Sequence, residues 1–127
     1  MKQLRILMIA LATFSTSAAW AGVVTDVKLS DGRTILGNDR GLTLYTYDND
    51  HGSVPSCYGG CARAWPPVLV TAQDTLAAPL GSTTRTDGTL QLTVSDKPVY
   101  LYVGDSEEGS ANGDGLGGIW HVIPSAE

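Results

Sequence analysis

A small all-β domain is expected, built from two β-rich repeats related by a pseudo-two-fold axis. The packing is that of a sandwich or a barrel-like sheet, with one disulfide inside a loop. Three observations lead there. First, Tyr45-Thr46-Tyr47-Asp48-Asn49-Asp50 returns as Tyr100-Leu101-Tyr102-Val103-Gly104-Asp105, so Tyr-x-Tyr-x-x-Asp occurs twice, 55 positions apart. The same offset carries Trp65 onto Trp120, Gly60 onto Gly115 and Val68 onto Ile123. Several kinds of residue keeping one offset mark an internal repeat. Second, short alternating stretches are bounded by Gly, Asp, Asn and Pro, the pattern of strands and turns. Third, helical periodicity is nearly absent beyond the first twenty or so residues.

The chain opens on Met1-Lys2-Gln3-Leu4-Arg5, a short basic start, followed by a nearly wholly apolar run from Ile6 to Phe14. Ala19-Trp20-Ala21 then places small residues where a signal peptidase reads them. Residues 1–21 are expected to be a cleaved secretory signal peptide, cut between Ala21 and Gly22. The apolar run is shorter than the about 20 residues a membrane span needs. No cysteine stands at the cut, so no lipid anchor is predicted. Of 127 residues, 106 then remain, enough for one domain over 22–127 with a modest core. Lys2 and Arg5 leave with the leader, so 6 basic residues face 13 acidic ones, formally −7. Such an acidic surface argues against nucleic acid and anionic membranes as partners. The expected location is the periplasm or the exterior.

Val23 to Leu29 is a first strand ending in the turn Ser30-Asp31-Gly32. Arg33 to Leu36 is a second, and Gly37-Asn38-Asp39-Arg40-Gly41 a tight connection to the returning strand Leu42 to Tyr47. His51 to Ala64 is expected to be a loop. Trp65-Pro66-Pro67 precedes a short strand, Val68 to Thr71, because the prolines lack the N–H a central strand needs. Ala72 to Pro79 is expected to hold one helical turn. The second copy begins near Thr86-Asp87-Gly88, with strands at Leu90 to Val94, Pro98 to Val103 and Ile119 to Ile123, and a glycine-rich loop from Glu107 to Gly118. The repeats are thus about 31–71 and 87–124. Matching Asp31-Gly32 with Asp87-Gly88 requires a one-residue gap before the tyrosines, which makes the first hairpin one residue longer.

Cys57 and Cys61 are the only cysteines. In an exported chain the pair reads as a structural disulfide around Tyr58-Gly59-Gly60. The alternatives are a redox-active pair or a soft-metal site, though the three-residue spacer differs from Cys-x-x-Cys.

The stretches Leu44 to Asp50, Cys57-x-x-x-Cys61-Ala62-x-x-Trp65-Pro66-Pro67, Pro98 to Tyr102 with Asp105, and Gly118-x-Trp120-His121-Val122 resemble one family. It is the family of small exported bacterial proteins described as secreted repeats or predicted lipoproteins, with a Tyr-x-[Phe/Trp/Tyr]-x-x-Asp motif. The resemblance covers nearly the whole chain after the leader. It implies a location and a fold rather than an activity, since the family's function is not established. This chain departs in lacking the lipid-accepting cysteine, so a soluble protein is expected.

Tyr45, Tyr47, Trp65, Tyr100, Tyr102 and Trp120 are expected to be core rings with hydroxyls bonded at the rim. The alternative is an exposed platform for a glycan, a peptide or a flat cofactor. Asp50 and Asp105 are expected to cap turns or meet a nearby hydroxyl. The sharper alternative gathers Asp48, Asn49 and Asp50, or Asp105, Glu107, Glu108, Asn112 and Asp114, around Ca²⁺, although neither loop has EF-hand spacing. His51 and His121, the only histidines, are candidate ligands for copper or another transition metal, if they meet in space. No cofactor is expected, and no Gly-x-Ser-x-Gly, His-Glu-x-x-His or phosphate loop supports an enzyme. The leading expectation is a non-catalytic domain that binds an envelope or extracellular ligand or contributes to envelope structure. The second is a metal-binding or redox-accessory periplasmic protein.

Overall fold

The structure is a computed structural model and describes residues 22–125. The expected leader, residues 1–21, lies outside the described residues. The strands are β1 (Val24–Lys28), β2 (Thr34–Asn38), β3 (Tyr45–Tyr47), β4 (Leu69–Val70), β5 (Leu80–Thr84), β6 (Leu90–Val94), β7 (Lys97–Tyr100) and β8 (Trp120–Val122). One short helix, α1 (Gly60–Ala64), interrupts them, and a 3₁₀ turn spans Leu116–Gly118. The sheet order is β4-β6-β7-β3-β8, with β5 on the other side of β6. The β1–β2 hairpin joins its edge through the bridges Ile35↔Pro124 and Gly37↔Thr43. All strand pairs are antiparallel, and the sheets do not close into a barrel.

The duplication is visible bond by bond. The Leu36 N–H donates to the Ile123 carbonyl, and the Leu92 N–H donates to that of Val68. Tyr45 lies opposite Val122, and Tyr100 opposite Pro67. Gly37 faces Thr43, and Thr93 faces Pro98. In both Asp-Gly turns the aspartate accepts the N–H two residues on, from Arg33 and from Thr89. The dyad passes between β3 and β7, where Tyr45 and Tyr100 are direct partners.

The one-residue gap falls in the connection between the second and third strands of each copy. In the first, the Asn38 side chain accepts from the N–H groups of Arg40 and Leu42, and Gly41 takes φ 76°. In the second, Ser95 and Asp96 alone make the turn, both at positive φ (50° and 63°), as a two-residue hairpin of the right twist requires.

Val24, Leu36 and Leu44 share one buried cluster with their counterparts Leu80, Leu92 and Val99, and Val68, Val70 and Val94 complete it. Burying each such side chain contributes roughly 1.5–3 kcal/mol. The prolines behave as their chemistry dictates: the Pro66 carbonyl accepts the Leu101 N–H, and Pro67 takes part only in an isolated bridge.

Three expectations need correction. The loop His51 to Ala64 ends in α1, where the Tyr58 carbonyl accepts the Cys61 N–H and the Cys61 carbonyl that of Trp65. Ala72 to Pro79 holds no helical turn. The Asp74 carboxylate accepts the Thr71 N–H and hydroxyl, and this competes with a helix for the backbone. Finally, β5 is a strand with no counterpart in the expected order, pairing along all of β6 from Leu80↔Val94 to Thr84↔Leu90.

Candidate functional site

Both copies of the tyrosine motif and both tryptophans meet at the dyad. Trp65 and Trp120 stack with centroids 3.8 Å apart and planes 2° from parallel. Tyr47 stacks outward on Trp120 at 4.1 Å, and Tyr102 on Trp65 at 4.3 Å. Tyr45 stands edge-on to Trp65 at 5.2 Å, and Tyr100 edge-on to Trp120 at 5.4 Å. Tyr45 and Tyr100 are wholly buried, Trp65 is 7 % exposed and Trp120 5 %. The rings are therefore core, and the exposed-platform alternative is overturned for all but Tyr47 and Tyr102, which are half-buried.

Each motif's aspartate serves the other copy. The Tyr45 hydroxyl donates to Asp105 Oδ2 at 2.5 Å, and the Tyr100 hydroxyl donates to Asp50 Oδ2 at 2.9 Å. The remaining oxygens hold local turns. Asp105 Oδ1 accepts the Asn112 N–H, and Asp50 Oδ1 accepts the N–H and hydroxyl of Ser56. The Tyr45 oxygen also accepts the Gly113 N–H at 3.1 Å. A side chain at Gly113 would collide with the rings of Trp65 and Tyr45. Burial, with a carboxylate beside each hydroxyl, pushes the phenols of Tyr45 and Tyr100 well above their ordinary range.

Cys57 and Cys61 are bonded to each other and pack against the same rings. Arg85 fixes this loop from below. It is 6 % exposed, donates to the Cys57 carbonyl at 2.8 Å and to Gln91 Oε1 at 2.7 Å, and lies 4.1 Å from the centre of the Tyr58 ring. Gln91 passes the chain of bonds to the Val99 carbonyl. Shifted by 56, Arg85 and Gln91 fall on Leu29 and Ile35, a buried apolar pair in the first copy. That mismatch in an otherwise apolar pairing is the one trace the sequence carries of this buried polar group.

The proposed calcium oxygens do not converge. Asp48 meets His121, Asn49 donates to the Tyr47 hydroxyl, and Asp114 accepts from Arg33 and the Val122 N–H. Asn112 donates to the Gly104 carbonyl, while the Glu108 side chain covers Gly41. Glu107 enters only through its backbone carbonyl, which accepts the Ser110 N–H. His121 Nε2 is 2.8 Å from Asp48 Oδ2, and His51 closes a small turn with Val54. Among the described residues no three His, Cys, Asp or Glu side chains come together as a metal site.

Among the described residues, two clefts are dyad counterparts. One, of about 320 Å³, lies between the Ser95 turn and the end of β8, lined by Thr46, Asp48, Lys97, His121 and Ile123. The other, of about 370 Å³, is lined by Leu101, Asn38, Asp39, Arg40, Val68 and Asp74. Leu101 and Val68 stand where Thr46 and Ile123 stand in the first. The β8-side cleft continues into a hollow beside Tyr47, Asp50 and Gly52, sharing Thr46, Asp48 and Lys97. It thus gathers a lysine, a carboxylate–imidazole pair and a hydroxyl along one groove. Ser95 lies in the same cleft, yet among the described residues no hydroxyl is hydrogen-bonded to His121. Lys97, Thr46 and Ser95 carry no signal in the sequence, because strand ends and a turn distant in the chain bring them together.

No curated protein and no solved structure matches the chain significantly. No helix among the described residues is long and apolar enough to cross a membrane. The family profile described as a secreted repeat of unknown function matches twice, over residues 26–69 and 81–123. Those two spans are the two halves that meet at the ring stack, and the chain belongs to this family of secreted repeats.

Proposed function

We propose that this domain acts outside the cytoplasm, after cleavage of its leader, as a non-catalytic binding module whose ligand groove runs along β3 beside Lys97 and His121. The carrying observation is that the repeated motif is consumed by the core. Its rings and carboxylates bond one another across the dyad, so recognition falls to the surface clefts. Of these, the groove between Tyr47 and Pro124 holds the richer set of donors and acceptors. The half-buried Tyr47 adds an aromatic edge at one end. Lys97 and the His121 ring suit an anionic group on the ligand, and Asp48 and Thr46 suit its hydroxyls or amides. An envelope saccharide or peptide bearing a carboxylate has that chemistry. A carboxylate–imidazole pair without a bonded nucleophile supports binding rather than covalent catalysis.

The test is amide chemical-shift mapping with carboxylated envelope saccharides and short peptides. Shifts are expected at Thr46, Asp48, Lys97 and His121, and Lys97→Ala should weaken binding about tenfold, the loss of one charge-assisted contact. Shifts confined to the Asp39–Asp74 cleft would refute this reading.

A further inference from the structure

Neutral aromatic rings prefer offset or edge-on contacts about 4.5–7 Å apart, because their quadrupoles disfavour a face-to-face sandwich. Trp65 and Trp120 are closer and flatter than that, at 3.8 Å and 2°. This overlap costs two neutral indoles some repulsion, but it is the arrangement that best shares a missing electron between two π-systems. Tyr47 and Tyr102 extend the stack at 4.1 and 4.3 Å. Both are half-buried, whereas the tryptophans are buried. Four rings in van der Waals contact therefore run between two points near the surface through a dry middle.

On either flank stands a phenol that the stack itself does not need. Tyr45 is edge-on to Trp65 and Tyr100 edge-on to Trp120. A phenol that loses an electron becomes a strong acid, and in a dry interior it needs a base already in contact. Tyr45 has Asp105 at 2.5 Å and Tyr100 has Asp50 at 2.9 Å. Both phenols are fully buried, so water and solutes would reach a radical there slowly.

We infer that the ring stack is a one-electron relay, taking oxidation from an oxygen-centred radical at Tyr47 or Tyr102 and storing it as a neutral radical on Tyr45 or Tyr100. In the first step an organic peroxyl radical takes one electron from the outer ring and becomes a peroxide anion, which water protonates. The missing electron is shared along Trp120 and Trp65. In the second step Tyr45 gives one electron to the stack while its phenolic proton crosses to Asp105 Oδ2. The stack is neutral again, the phenol is a neutral radical, and the carboxylate has become a carboxylic acid. Tyr100 and Asp50 perform the same step on the other side of the dyad. The relay shares Tyr47 and Asp50 with the groove along β3 but does not rest on what that groove binds.

The test uses the whole protein, carrying Tyr58→Phe to remove the tyrosine outside the stack, and a photogenerated ruthenium(III) tris-bipyridine complex as the one-electron oxidant. Transient absorption should show an indole radical cation followed by a tyrosyl radical, and freeze-trapped samples should show the tyrosyl signal in electron paramagnetic resonance. Replacing both bases (Asp50→Asn with Asp105→Asn) keeps an acceptor oxygen for each hydroxyl but removes the proton acceptor. Tyrosyl formation should then slow about a hundredfold, the usual worth of a positioned base, while the indole radical still forms. A tyrosyl yield unchanged in that variant, or no tyrosyl radical in the Tyr58→Phe protein, would overturn the relay. Should the double variant fail to fold, the Tyr58→Phe protein decides alone: tyrosyl formation slowed in heavy water supports coupled proton transfer, and an unchanged rate rejects it.

Discussion

The Tyr45 hydroxyl donates to Asp105 and accepts from the Gly113 N–H. Removing it with Tyr45→Phe leaves both partners short of a bond in a buried place. The expected loss is about 1–3 kcal/mol, the desolvation cost of an unsatisfied buried group. Tyr100→Phe should cost less, because Asp50 is only half-buried whereas Asp105 is buried. Denaturant unfolding of the two variants checks the order, and equal losses would contradict it. The same phenols make stability depend on alkaline pH. In the unfolded chain they ionise near 10.0, whereas in the folded protein burial and the adjacent carboxylates hold them protonated to higher pH. The unfolded state therefore sheds its protons first. The stabilisation from these groups is whole below about pH 10 and drains away as pH rises through the folded pKa values. Unfolding midpoints should be flat with respect to these groups near neutrality and fall above about pH 10, with part of the tyrosinate absorbance appearing only as the protein unfolds.

The β6–β7 hairpin turns on Ser95 and Asp96, both in the left-handed region. Asp tolerates this backbone but Gly adopts it freely, so Asp96→Gly should stabilise the protein by about 0.5 kcal/mol. Thermal unfolding would register this as a rise of a few degrees. The disulfide closes so small a ring that reducing it should cost only about 2 kcal/mol by the chain-entropy argument. Arg85 would still hold the Cys57 carbonyl from the other side. Unfolding with and without reductant measures that difference. These segments also show what a sequence discloses. β1, β2 and β6 were readable from alternation and Asp-Gly turns, and the cysteine pair from its compartment. β5 was not, because Leu80-Gly81-Ser82-Thr83-Thr84 has one apolar residue and earns its place only by pairing with β6. α1 has five residues, too few for a helical period to show.

Across the whole molecule, the 55-residue offset revealed that two copies exist but not how they interlock. It could not say that Tyr45 would reach Asp105 rather than Asp50, because that choice depends on β3 and β7 lying antiparallel with the two tyrosines paired. Nor could it show the grooves, whose Lys97, Asp48 and His121 come from β7, the end of β3 and β8. Duplication has left the two sides chemically unequal: Arg85 and Gln91 replace an apolar pair, and one cleft holds Lys97 and His121 where the other holds Asp39, Arg40 and Asp74. What stayed equal is the exchange at the dyad, in which each copy supplies the carboxylate, the outer tyrosine and the stacked indole that the other requires. Neither copy can then satisfy its own buried hydroxyl, and a half of this size buries too little to fold unaided. Cutting the chain in the exposed link after Thr75 therefore yields a sharp expectation. Residues 22–75 and 76–127, each alone, should lack a cooperative unfolding transition and the near-ultraviolet circular dichroism of packed rings. Mixed in equal amounts, they should regain both, with a midpoint that rises with concentration because assembly is now bimolecular. If either half alone shows the ring signal and unfolds cooperatively, the copies are self-sufficient and the exchange across the dyad is not what holds them together.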